Sequence, residues 1–171
     1  MIIKLQHCAV RSWRRADAAS LVRHADNPKV WRNLRDRFPH PYTRRDADDW
    51  IRNASGSKPE TNFAIDVAGE AVGGIGMQVQ QDVYRRSAEV GYWVAEEHWG
   101  RGIATEALGA LVEYAFERFD LCRLFATSFD WNPASARVLE KCGFVLEARR
   151  RQAVTKEGRT IDDLLYALVR N

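Results

Sequence analysis

EVGYWVAEEHWGRGIATEALGALVEYAF, residues 89–116, decides how this chain is read. It opens with the end of a strand-like run, SAEVGYWV, rich in β-branched and aromatic residues. From about Gly102 to Arg118 the period changes. Ala104, Ala107, Leu108, Leu111, Val112, Ala115 and Phe119 recur every three or four positions, so one helical stripe faces a core. Between them Gly100 and Gly102 bracket Arg101. The first amides of a helix have no intrahelical partner, and the helix dipole adds partial positive charge there, so such a turn can hold an anion. Glycines let an oxygen approach the backbone closely, and Arg101 can add a charged contact. A turn that needs two glycines for its geometry alone is the competing account. A nucleoside triphosphate with magnesium is disfavoured, because Ile103-Ala104 stand where a phosphate loop needs Lys and Ser/Thr. The three-glycine dinucleotide fingerprint is absent as well. A pyrophosphate bound without metal fits best.

Working outward, TNFAIDV and AVGGIGMQV (61–67 and 71–79) read as two strands about a turn at Gly69-Glu70, with SAEVGYWV the third of the group. Arg123–Phe129 reads as another strand. Asn132 and Pro133 then start a helix that Gly143 closes. Phe144–Val154 and Thr160–Val169 flank KEGR as a terminal hairpin. Upstream, the first third reads as helical and arginine-rich: a helix over 16–25 stopped by Asn27-Pro28, an amphipathic turn over 29–36, and a helix capped by Thr43. The order is helices, three meandering strands, helix, strand, helix, hairpin. It predicts an α+β (mixed α/β) domain around a largely antiparallel sheet. The 171 residues fit one domain over 1–171, with no linker dividing them.

Composition narrows the class. The net charge of +3 suits a small anionic ligand, and no basic stripe interleaved with aromatics argues for nucleic acid. Cys8, Cys122 and Cys142 are widely spaced, which indicates neither a zinc site nor a disulfide framework. His7, His24, His40 and His98 are dispersed, so no metal is expected. With no membrane-length apolar run and no signal-peptide pattern, the expected address is the cytoplasm.

Four segments in this order resemble the GNAT N-acetyltransferase superfamily, and most of all its RimJ/RimL branch of ribosomal-protein N-terminal acetyltransferases. They are PHPYTRRDADDWI (39–51), EVGYWV, WGRGIATEAL and NPASARVLEKCGF (132–144). The resemblance covers nearly the whole chain. It implies a central, mostly antiparallel twisted sheet flanked by helices, with a V-shaped opening between the two central strands. It also implies acetyl-CoA as co-substrate, no metal, a primary amine as acceptor (a protein N-terminus or a small amine), and it is compatible with a homodimer.

By the same resemblance the pyrophosphate lies on the amides of Gly100, Arg101, Gly102, Ile103, Ala104 and Thr105. Trp99 stands where the wider superfamily has Gln or Arg, as is usual in the RimJ/RimL branch. Backbone groups of Trp93 and Val94 would hold the pantetheine arm like an added strand, and Asn132 would reach it as well. A plain N-cap is the other role for Asn132. Trp31, Phe38 and Tyr42 would line an acceptor pocket or simply fill the core.

Acetyl transfer to an amine requires that the amine first lose its proton, and a nearby carboxylate fits that task. Glu89 is the candidate general base. It is a charged side chain in mid-strand, on one face with Gly91 and Trp93, which makes sense if that face opens into a cleft. A strand-edge pairing with Arg85 or Arg86 is the plainer alternative. The developing oxyanion wants a backbone amide, and Val94 supplies the family-style choice. Many relatives protonate the leaving thiolate from a tyrosine, but Leu139 stands at the matching position here. Ser135, on the same face as Asn132, is the substitute. A helix-start serine bonded to backbone, or protonation by solvent or the incoming ammonium, are the alternatives. With the tyrosine missing, a catalytically silent acyl-CoA-binding sensor or interaction module is the rival function.

Overall fold

The computed structural model describes residues 2–170. Eight strands form one sheet: β1 (Ile2–Lys4), β2 (Ala9–Arg11), β3 (Asn62–Val67), β4 (Glu70–Val79), β5 (Ser87–Val94), β6 (Arg123–Phe129), β7 (Val145–Lys156) and β8 (Arg159–Val169). Their order is β1-β2-β3-β4-β5-β6-β8-β7. Every neighbouring pair is antiparallel except β5 and β6, which run parallel. Five helices complete the mixed α/β fold: α1 (Ala18–Ala25), α2 (Pro28–Trp31), α3 (Arg44–Ala54), α4 (Ile103–Arg118) and α5 (Pro133–Lys141).

Alternation along the strands sorts side chains into two apolar layers. Phe63 and Ile65 of β3 join Leu108, Leu111 and Leu139 beneath α4 and α5. Ala64 faces the other way and meets Trp13, Leu21, Ala47 and Ile51 beneath α1 and α3. The predicted stripe on α4 is the buried one, with Ala107, Leu108, Leu111, Val112 and Ala115 inside.

The first third differs from the sequence reading. Two short strands precede the helices, and α1 begins at Ala18 after a short 3-10 turn over Arg15–Asp17. The cause is a buried charge. Arg11, 2% exposed on β2, donates from Nε to Asp66 Oδ2 at 2.6 Å and from Nη1 and Nη2 to Asp17 at 2.8 and 2.9 Å. A strand carrying an arginine inward reads as polar, so its alternation is hidden. The amphipathic turn expected over 29–36 shrinks to the single turn α2, and residues beyond it run irregularly toward Phe38. Thr43 caps α3 as expected, in a reciprocal box with Asp46.

Candidate functional site

Among the described residues, β5 and β6 form the one parallel pairing of the sheet, and it is short. β5 and β6 are matched only over Ser87–Glu89 and Arg123–Phe125. Beyond Glu89 and Phe125 the strands separate, β5 staying with β4 and β6 with β8. The opening between them lies in a cleft of about 1190 Å³ that also takes in the α4 N-terminus, Asn132 and Ser135.

The ladder between β4 and β5 determines which backbone groups face this opening. Ala95 donates its N–H to the Val72 carbonyl at 2.8 Å, and Gln80 donates to the Ser87 carbonyl at 2.9 Å. Both bonds flank non-hydrogen-bonded pairs, Gly73 with Val94 and Val79 with Ala88. Alternation between them gives Trp93 to the ladder with Gly74 and turns the backbone groups of Tyr92 and Val94 toward the opening. Of the two residues expected to offer backbone groups there, Val94 turns its groups to the opening, whereas Trp93 spends its own on the ladder and Tyr92 faces the opening instead. The Val94 carbonyl accepts the Trp99 indole N–H at 2.7 Å, and this contact folds the following loop back on the strand end. The Trp93 side chain meets Phe38 edge-on, ring centroids 5.6 Å apart, on the α1–α3 side.

The turn has an anion-binding geometry. Gly100 and Gly102 take left-handed φ values of +74° and +78°, where a side chain is strained. Gly102 is the N-cap of α4 and offers no side-chain cap. The first intrahelical bond runs from the Glu106 N–H to the Gly102 carbonyl, which leaves the amides of Ile103, Ala104 and Thr105 without a helical acceptor. Trp99, Arg101 and these residues all line the cleft. An uncapped helix of sixteen residues facing a cleft, with glycines holding its entry open, fits a pyrophosphate.

Glu89 is the last residue of β5 paired to β6, so its carboxylate marks the vertex of the opening. Its partner is not Arg85 or Arg86. Arg35, on the loop after α2, binds it through Nη2 and approaches through Nη1 at 3.4 Å, while Arg86 pairs with Asp120. On the opposite face the Tyr92 hydroxyl lies 2.9 Å from Ser135 Oγ. Burial pushes the Tyr92 phenol up to about 12, moderated by this bond. The sequence reading did not single out Tyr92, which alternation places on the face opposite Glu89. Leu139 is 1% exposed in the α4–α5 layer and takes no part in the cleft. The Asn132 side chain caps α5 by accepting from Ser135 N–H at 3.3 Å while lining the cleft. Tyr42 and Phe38 meet at a tilt, ring centroids 5.1 Å apart, and line the same cleft on the α3 side, whereas Trp31 lies under the Lys156 ammonium, 3.6 Å from its ring centre. No group of three or more His, Cys, Asp or Glu among the described residues could hold a metal ion.

The chain is 38% identical over 101 residues to the N-acetyltransferase YoaA of Bacillus subtilis, covering 59% of this chain and 56% of that protein. It is 36% identical over 84 residues to the ribosomal-protein-serine acetyltransferase of Escherichia coli, covering 49% and 47%. The matches thus span about half the length of these curated relatives. Mycobacterium smegmatis RimJ, solved in complex with a CoA disulfide, superposes with a TM-score of 0.86 at 26% identity over 98% of this chain and 86% of that one. Residues 8–145 match the acetyltransferase (GNAT) domain, and the chain belongs to that family.

Proposed function

We propose that this chain is an acetyl-CoA-dependent N-acetyltransferase that transfers acetyl directly to a primary amine in the cytoplasm, working as one domain over 1–171. The observation that carries this reading is the vertex of the opening. There one carboxylate, Glu89, meets a strand edge with unpaired backbone groups and a helix N-terminus without a cap. Acetyl-CoA supplies the acetyl group as an activated thioester.

The residues divide the work. The amides of Gly100 to Thr105, the α4 dipole and Arg101 offer the pyrophosphate its positive field. Trp99 fixes the strand end from which Val94 presents its amide, and that amide is the donor for the developing oxyanion. Asn132 lines the same channel. Glu89 takes the proton of the acceptor, which must be neutral to attack: an alkylammonium titrates near 10 and an α-amino group near 8, so a base is needed more for the former. Arg35 holds the Glu89 carboxylate until a cationic acceptor competes for it. Ser135, bonded to Tyr92, supplies the proton for the leaving thiolate. When Tyr92 donates to Ser135 Oγ, the serine hydrogen is free for another acceptor.

The acceptor class is a protein N-terminus or a small amine, and the relative named for ribosomal-protein serine acetylation favours the former. The test is thiol release from acetyl-CoA across a panel of amines and peptides. Glu89→Gln retains CoA affinity and loses on the order of 10²-fold or more in rate. A parent protein that binds CoA and acetylates nothing supports the sensor reading instead.

A further inference from the structure

Glycines cluster on the central strands, and most have a packing reason. A Cβ on Gly73 would lie 2.3 Å from the Trp93 carbonyl oxygen. On Gly74 it would lie 2.9 Å from the Trp93 indole nitrogen, and on Gly76 2.3 Å from Asn62 Oδ1. Gly91 has no such reason. A Cβ there meets nothing within 4 Å, and its φ lies outside the left-handed region. It stands in the middle of β5, where glycine weakens a strand without any demand from the protein's own packing.

Its neighbours define what the space is for. Gly91 shares a face with Glu89 and Trp93, and across the ladder the three are opposite Gln78, Gly76 and Gly74. Arg35 stands over Glu89 and Phe38 over Trp93. The space over Gly91 is therefore a trough with a filled pair at each end, and the Asn62 side chain lies over Gly76 on its β4 side. It lies one step beyond the vertex of the opening, beside the Tyr92 and Val94 edge.

Resting on the acetyltransferase reading above, we propose that Gly91 is a specificity-determining residue: its missing side chain forms the trough that seats the amine-bearing carbon of the acceptor, between the Glu89 carboxylate and the Trp93 indole. The width of the trough sets which substituents that carbon can carry.

The test compares the parent with Gly91→Ala and Gly91→Val on glycinamide, alaninamide, valinamide and butylamine, with CoA affinity and thermal stability measured alongside. G91A folds, because its added Cβ meets open space, and melts at or above the parent temperature, while the melting temperature of G91V shows whether its larger side chain is accepted. CoA affinity stays within twofold. In G91A the ratio of kcat/KM for valinamide over glycinamide falls at least tenfold, and in G91V turnover of every amine falls. Unchanged ratios in an active protein overturn the assignment of Gly91 alone. Weakened CoA affinity with acceptor KM intact also overturns it, since the space would then belong to the acyl donor. A parent that acetylates none of the four, nor any peptide, overturns it together with the reading it rests on.

Discussion

The Tyr92 hydroxyl and the Ser135 hydroxyl lie 2.9 Å apart, bridging the open edge of β5 and the first turn of α5. The single phenol hydrogen can go instead to the Ser135 carbonyl, 3.2 Å away, so the phenol faces both ends of the serine residue. If Ser135 delivers the proton, Ser135→Ala lowers kcat about 10²-fold with CoA affinity preserved. Tyr92→Phe leaves the serine in place with one bond fewer and lowers kcat only about fivefold. Steady-state kinetics beside calorimetric CoA binding check both. Equal losses in the two variants assign the proton to Tyr92.

Alkaline pH offers a separate reading of the same phenol. Burial pushes Tyr92 up to about 12, and burial also raises Tyr42. Both are neutral in the folded state where the unfolded chain, near 10, begins to ionise. Their stabilising contribution is complete below pH 10 and is lost as pH rises toward 12. Denaturant midpoints measured from pH 8 to 11.5 fall above 10, and they fall less steeply in Tyr92→Phe.

The bond from the Trp99 indole to the Val94 carbonyl at 2.7 Å ties the loop to the strand end. Its loss leaves the Val94 amide less well aimed. Trp99→Phe keeps an aromatic ring and removes the donor, so CoA binds about fivefold more weakly. Titration calorimetry measures the change, and an unaltered Kd removes Trp99 from the cofactor site.

The central meander, the terminal hairpin, α4 and the glycine turn were legible because each is a local pattern: strand-forming runs about short turns, a 3.6-residue period, two glycines at a helix start. The first third was not. Arg11 places a charge where alternation expects an apolar side chain, and only Asp17 and Asp66, 6 and 55 positions away, explain it. The partner of Glu89 was missed for the same reason, since Arg35 lies 54 residues upstream while Arg85 and Arg86 were the near choices. Ladder phase was hidden too. Sequence identified the strand, but only its register with β4 reveals that Trp93 spends its backbone groups on Gly74 while Tyr92 and the Val94 amide face the opening.

That buried network has a stability consequence. Arg11→Met removes the cation held between two carboxylates that are 6% and 9% exposed, and the bare pair costs about 3–5 kcal/mol. Asp66→Asn costs less, because its Oδ1 can still accept the Gly69 N–H, now made at 2.8 Å. Urea denaturation of the two variants checks the order. Near-equal losses mean that the network acts through shape rather than charge.

Lys156, 2% exposed, lines a smaller pocket together with Arg35 and Asp36. It sits near the tip of the β7–β8 hairpin, yet its ammonium donates to Asp36 Oδ1 at 2.7 Å and lies 3.6 Å from the Trp31 ring centre. Beside it the Trp131 indole donates to Asn33 Oδ1 at 3.1 Å and carries the Arg32 guanidinium over its ring. These contacts pin residues 31–36, the segment that delivers Arg35 to Glu89. A desolvated ammonium on an aromatic face contributes about 2 kcal/mol, so Lys156→Ala releases the loop rather than unfolding the sheet. The expected result is an acceptor KM raised several-fold, with CoA affinity and kcat nearly unchanged. Lys156→Met keeps the apolar stem and loses the charge. It therefore separates the ion pair from the packing: a KM like that of the parent assigns the clamp to packing against Trp31, and a KM like that of the alanine variant assigns it to the charge.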